Sequence, residues 1–221
     1  MTHEEILQGL FDNTLVGNAP EVKDLVNQGL AEELSPESML YDGLIPSLEE
    51  VGARFERGDF FVPEMLIAAR AMQGALDILR PLLAETGVEQ VGTYVMGTVK
   101  GDVHDIGKNL VNIMLEGAGF TVHDLGVNVA PEVFVEKIVE HKPDVVGFSA
   151  FLTTTMPMFK ANLNALEKAG LRDQVIVMVG GAPVTQEYAD AVGADGYAAD
   201  ASTAVRLAKD LIQRKRSQVT A

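Results

Sequence analysis

The sequence predicts an α/β fold in two parts: a bundle of four or five helices over residues 1–88, then a five-stranded parallel sheet wrapped by helices over residues 89–221. Three observations lead there. Before about residue 88 apolar residues recur at helical spacing without strand alternation. Beyond it, short apolar runs alternate with helix-length runs, as in a parallel sheet covered on both faces. The two patterns meet at Ala84-Glu85-Thr86-Gly87-Val88, where the domain boundary is expected.

In the first part, Ile6, Leu10 and Leu15 mark one helix, and Val22, Leu25, Val26 and Leu30 a second. A third should pass through Met39, Leu44, Ile45, Leu48, Val51 and Phe55. A fourth should start near Pro63 and continue through Leu66, Ala69, Met72, Leu76, Ile78 and Leu79, ahead of Pro81 and Leu83. Pro63 suits a helix start, where its missing N–H leaves no bond unmade. In the second part, strands are expected at about 92–98, 120–125, 144–149, 174–179 and 195–198, with helices at about 107–118, 131–141, 156–169, 184–192 and 202–214. Right-handed crossovers between such units favour a flavodoxin-like or Rossmann-like sheet. The basic tail Arg214-Lys215-Arg216 would sit at the end of the last helix, where cations suit the helix dipole.

Composition narrows the function. With 17 Lys and Arg against 32 Asp and Glu, the formal charge of −15 repels phosphate backbones and anionic membrane surfaces, so neither nucleic acid nor membrane is an expected partner. The chain has no cysteine, which excludes disulfides, thiolate zinc sites and iron–sulfur clusters. No stretch approaches a membrane span, and the acidic, amphipathic start is unlike a secretory leader; a cytoplasmic protein is expected.

The most informative segment is Gly101-Asp102-Val103-His104-Asp105-Ile106-Gly107-Lys108-Asn109, between the first strand and the helix after it. An Asp two residues before a His can orient the imidazole for a metal, because a hydrogen bond to one ring nitrogen sets the tautomer and basicity of the other. Ligands of open parallel sheets bind at the carboxyl ends of the strands, where this loop lies. Alone, Asp-X-His is more often a surface His with a capping Asp. The other strand ends carry Ser149-Ala150-Phe151-Leu152-Thr153-Thr154-Thr155, Gly180-Gly181-Ala182-Pro183 and Tyr197-Ala198-Ala199-Asp200-Ala201-Ser202, which together describe a long slot of hydroxyls and exposed backbone. Neither a Gly-X-Gly-X-X-Gly nor a phosphate-cradling Gly-Lys-Ser/Thr loop is present, so ordinary dinucleotide binding is disfavoured.

Residues Val99 to Asn109 resemble the Asp-X-His-X-X-Gly signature of cobalamin-binding domains of the methionine synthase type. Ser149-X-Phe151 and Gly180-Gly181 are similar to that family's second and third motifs. Val51-Gly52 through Phe55, Gly58 to Pro63 and Ala69-Arg70-Ala71-Met72 are similar to its helical cap. A chain holding only these two modules resembles the small corrinoid proteins of anaerobic methyltransferase systems, which serve methylamines, methanol, glycine betaine or methoxylated aromatics.

The resemblance implies a cobalamin cofactor whose cobalt alternates between Co(I) and methyl-Co(III), with His104 replacing the cofactor's own base as lower ligand. It implies Asp102 on the other ring nitrogen and Thr155 at the place of the family's Ser hydroxyl. Asp102, Val103, His104, Asp105, Ile106, Gly107, Ser149, Phe151, Thr153, Gly180, Gly181, Ala182, Tyr197 and Ala201 would contact the cofactor, and Phe55 and Val62 of the cap would cover its upper face. The implied role is a methyl carrier between a substrate-specific methyltransferase and a second methyltransferase using tetrahydrofolate or a thiol, with a reductive activase as a further partner. Without the resemblance, Phe55 and Val62 read as ordinary bundle core, the default for such residues in a helical domain. Three alternatives stay open at this point: a cobalamin-dependent sensor, an adenosylcobalamin mutase subunit, and a simple zinc site at His104 with His3, His123 and His141 as the other histidines.

Overall fold

The computed structural model describes residues 1–86 and 91–219. The boundary expected near residue 88 falls outside the described residues on the carboxyl side. The chain divides into two compact units, one holding the residues that precede the sheet together with Glu116–Gly119, the other holding Val91–Leu115 and the chain from Phe120 onward.

The first unit is helical throughout. Helix α1 (His3–Leu15) begins with a reciprocal capping box in which Thr2 and Glu5 satisfy each other's backbone N–H. Helices α2 (Ala19–Ala31) and α3 (Pro36–Ser38) both start with proline in the first turn, and Ser35 caps α3 through the Ser38 N–H. The expected third helix is one continuous helical run with a change of pitch inside it. After α3 comes a π-helical turn over Met39–Leu44, and only then α4 (Ile45–Glu56). The Ile45 N–H reaches back five residues to the Leu40 carbonyl, and Pro46, which follows it, has no N–H to continue the ladder. The widened turn packs Gly43 on α1, where a Cβ would lie 3.2 Å from Leu10 and 3.3 Å from the Leu7 carbonyl.

Helix α5 (Val62–Thr86) departs from expectation twice. Pro81 lies inside it rather than after it. Proline removes one N–H and crowds one carbonyl, and a long helix can carry that at an exposed position such as Pro81. Leu66, expected on the core stripe, is 40% exposed, while Met65, Ala68 and Met72 are buried. Ile6, Leu10, Val22, Val26, Met39, Leu44 and Val51 complete this core.

The second unit contains strands β1 (Gly92–Thr98), β2 (Phe120–Asp124), β3 (Val145–Ser149), β4 (Ile176–Gly180) and β5 (Gly196–Ala198), all parallel, in the order β2-β1-β3-β4-β5. This is the flavodoxin-like order. The crossovers are α6 (Ile106–Gly117), α7 (Pro131–His141), α8 (Pro157–Lys168) and α9 (Gln186–Val192), and α10 (Ala201–Val219) follows β5. Strands β1, β3 and β4 are almost wholly buried, as expected of central parallel strands. Phe134, Phe148, Phe159, Val146 and Val177 form the centre of a core on one face. Helix α10 continues past the expected end at residue 214, so Lys215 is not a terminal cap; its ammonium reaches the Gln174 carbonyl at 2.6 Å.

Candidate functional site

The strand order reverses direction at β1. The chain leaves β1 for β2 on one side and returns to β3 on the other, so the loops after β1 and β3 diverge from adjacent strand ends. Such a switch point is where doubly wound sheets open a crevice for ligands. The register aligns Thr98, Ser149, Gly180 and Ala198 as one row across the carboxyl edge. The four motif segments read from the sequence therefore share one edge of the sheet, although almost ninety positions separate the end of the first from the start of the last.

Asp102 is the fixed point of this edge. Its side chain is fully buried, and both carboxylate oxygens are saturated. Oδ1 accepts from the His104 ring at Nδ1 (2.8 Å) and from the His104 backbone N–H (3.1 Å). Oδ2 accepts from the Thr155 hydroxyl (2.7 Å) and from the Phe151 and Leu152 backbone N–H groups (2.8 and 3.2 Å). Burial alone pushes the Asp102 carboxyl up, but the bonds from Thr155, His104 and Phe151 outweigh it and hold the group well below the usual carboxylate range. Asp102 is thus ionised at neutral pH. An ionised acceptor at Nδ1 makes that nitrogen the donor, which leaves Nε2 as the lone-pair nitrogen of neutral His104.

The loop carrying His104 is pinned on several sides. The Thr98 hydroxyl donates to the His104 carbonyl at 3.0 Å, and the Asn128 side chain accepts from the Gly101 N–H at 2.8 Å. The Asn128 N–H in turn donates to the Asp102 carbonyl at 2.9 Å. Gly101 has φ +84°, a conformation that side-chain-bearing residues seldom adopt. Beyond the loop, the buried Lys108 ammonium bonds Asn109 and Asp124, and Asn109 bonds Asp105. The Asp105 side chain is thereby engaged at the start of α6.

The remaining predicted residues take distinct positions. Val103 and Ile106 are 67% and 79% exposed and flank a His104 side chain that is itself about half exposed. Phe151 stacks on the His104 ring with centroids 4.4 Å apart, and Thr153 is exposed just beyond it. A Cβ at Gly107 would meet nothing within 4 Å. Gly181 has a backbone role: at φ +135° its Cβ would stand 1.8 Å from the Ala150 carbonyl oxygen. Gly180 and the exposed Ala182 flank it. Tyr197 is half-buried on β5, and Ala201 is buried at the start of α10. Phe55 and Val62 belong to the helical unit, near the end of α4 and at the start of α5.

Sequence reasoning missed Thr98, Asn128, Lys108 and Asp124. Of these, Asn128 and Lys108 carried a faint signal, a non-glycine residue before a predicted helix and a cation inside the motif. Among the described residues, no group of three or more His, Asp or Glu side chains is placed to hold a metal ion, which removes the ligand set of the simple zinc alternative. His123 and His141 stack on one another instead, with centroids 3.7 Å apart.

A lone imidazole with one nitrogen tied to a buried anion, ringed by exposed apolar side chains and a glycine facing open space, fits a large flat apolar group carrying a single metal. The comparisons with known proteins agree. Residues 92–206 match the B12 binding domain family, and residues 6–80 match a second B12 binding domain family. The chain belongs to the B12-binding corrinoid proteins. The dimethylamine corrinoid protein of Methanosarcina barkeri is 45% identical over 213 residues, 96% of this chain and 100% of that one. A solved cobalamin-binding protein from Desulfitobacterium hafniense DCB-2 superposes with a TM-score of 0.77 at 30% identity, covering 92% of this chain and 97% of that one. In the crystal structure of the methanol:cobalamin methyltransferase complex from Methanosarcina barkeri, one chain matches with a TM-score of 0.83 at 26% identity, covering 96% of this chain and 81% of that one. The family matches and the relatives give the chain a corrinoid cofactor. Among the described residues no helix is long and apolar enough to cross a membrane.

Proposed function

We propose that this chain is the methyl-carrying corrinoid subunit of a methylamine methyltransferase system. It would receive a methyl group from a substrate-specific methyltransferase and yield it to a second methyltransferase that uses tetrahydrofolate or a thiol, with a reductive activase restoring the reduced cofactor in the cytoplasm. The full-length similarity to a dimethylamine corrinoid protein supports the donor class, and the likeness to a chain of a methyltransferase complex supports the first partner. Residues 1–88 are assigned as the cap domain and residues 89–221 as the cofactor domain, with Phe55 and Val62 as the cap's apolar contacts.

The observation that carries the reading is the Thr155–Asp102–His104 chain of hydrogen bonds. When bound, cobalt supplies the nucleophile that accepts and releases the methyl group. The protein's residues supply the rest. His104 is the ligand, offering Nε2; Asp102 holds the imidazole in that tautomer and strengthens its donation; Thr155 holds Asp102. With Nδ1–H held on Asp102, Nε2 is the atom of this chain at which a proton would be taken up when it is not bound to a metal. Val103, Ile106 and Phe151 shed water from the surface around the ligand, and Gly107, Ser149, Thr153, Gly180, Gly181, Ala182, Tyr197 and Ala201 are assigned to the displaced nucleotide tail.

Paramagnetic resonance of the Co(II) protein containing 15N-labelled histidine tests the assignment. Coupling from the labelled nitrogen is expected, and His104→Ala should abolish it. Coupling from the cofactor's unlabelled benzimidazole would overturn the ligand assignment.

A further inference from the structure

We propose that Phe151 is a positioning residue that sets the plane of the His104 imidazole; this rests on the reading of His104 as the cobalt ligand. The bond from Nδ1 to Asp102 Oδ1 fixes where that nitrogen points, but one hydrogen bond is a single pivot, and the ring can still turn about it. The Phe151 ring removes that freedom, lying against the imidazole with centroids 4.4 Å apart and planes 27° from parallel. The separation lies at the close limit of offset stacking, whose centroid distances begin at about 4.5 Å.

The two rings share one frame. The Phe151 backbone N–H bonds the other oxygen of the same carboxylate at 2.8 Å, and the Leu152 N–H adds a second bond there. From behind, the Ala150 N–H donates to the Gly180 carbonyl at 3.1 Å, and Gly181 lets the backbones approach so closely that no Cβ would fit. The anchoring of this loop uses only main-chain atoms of residue 151. Its side chain takes no part in that anchoring, and at 51% exposure it is not part of the hydrophobic core. The ring's one aromatic neighbour among the described residues is His104.

Because the anchoring is main-chain, Phe151→Leu should leave the Asp102 bonds and the fold intact while removing the stack. In the cofactor-free protein, NMR of the His104 ring protons should lose the ring-current shift in F151L and retain it in F151Y. After reconstitution with cobalamin, at the pH where the wild type is half ligated, the ratio of imidazole-coupled to uncoupled Co(II) should fall roughly 2- to 12-fold in F151L, the worth of one aromatic pair, and F151Y should restore it to within about twofold. Unaltered ring-proton shifts and coupling in F151L would overturn this inference alone. A wild type with no imidazole coupling would overturn the ligand assignment and this inference together.

Discussion

Replacing Thr155 by Val isolates one bond of the site. The side chain is 6% exposed, and valine copies its shape, so no cavity and no change of loop packing enter the comparison. The lost contact is the hydroxyl's donation to Asp102 Oδ2 at 2.7 Å, with the Leu152 carbonyl as its alternative acceptor at 2.9 Å. A hydrogen bond to a charged group contributes about 1.5–3 kcal/mol, and the other donors to Asp102 remain, so the loss should stay in that range rather than reach the larger cost of stranding a buried charge. For a chain of this size each kcal/mol moves the melting temperature by about 2–4 °C, so a fall of about 3–12 °C is expected for the apoprotein at neutral pH. Thr155→Ser keeps the donor and should lose only about 0.8 kcal/mol, the worth of one buried methyl group. The pH dependence follows from the depressed carboxyl. Its stabilising contribution is complete above the ordinary value of 3.8 and is lost as pH falls through the lower folded value, so the deficit of T155V should be constant from pH 7 to about 4 and narrow below that. Thermal unfolding at several pH values measures both quantities. A variant within about 0.5 kcal/mol of wild type at pH 7, or a deficit that widens on acidification, would refute the claim that this hydroxyl stabilises the ionised Asp102.

Two further comparisons use the same frame. Gly181→Ala places a carbon 1.8 Å from the Ala150 oxygen at φ +135° and should prevent soluble folding, whereas Gly107→Ala, with nothing within 4 Å, should raise apoprotein stability by up to about 1 kcal/mol while weakening cobalamin binding; equal solubility and melting of the two variants would count against the close-approach argument. Asp124→Ala leaves the Lys108 ammonium, whose side chain is 1% exposed, without its carboxylate and should cost about 3–5 kcal/mol in urea unfolding. Lys108→Met leaves only a 40% exposed carboxylate that water can solvate, and should cost about 1 kcal/mol; the reverse order would show that the pair is not dominated by the buried cation.

Much of this architecture was legible along the chain, and the exceptions have physical causes. Strand β1 and helix α7 lie at the expected residues because burial on both faces and a proline at the helix start leave unmistakable local patterns. The π-helical turn at Met39–Leu44 is hidden from periodicity because one additional residue shifts the apolar pattern by about 100°, and buried Met39, Leu40, Leu44 and Ile45 make the run apolar in either phase. The run through Pro81 was equally hidden, because the cost of an interior proline is local and the packing that offsets it is tertiary. At the site, the Asp102-X-His104 pair was readable because both members lie within one loop.

By itself the sequence determined a helical half, five β/α units, a thiol-free acidic chain, and a carboxylate–imidazole pair placed beyond the first strand. Those are properties of neighbours, written in spacing and composition. Only the tertiary structure decided that the Phe151 main chain meets Asp102 from about fifty residues away, that Phe151 lies on His104, and that Lys108 is buried against Asp124. The reason is the sheet order: pairing β1 with both β2 and β3 brings three distant loops to one edge, and no local pattern in any of them specifies which strand lies next to which.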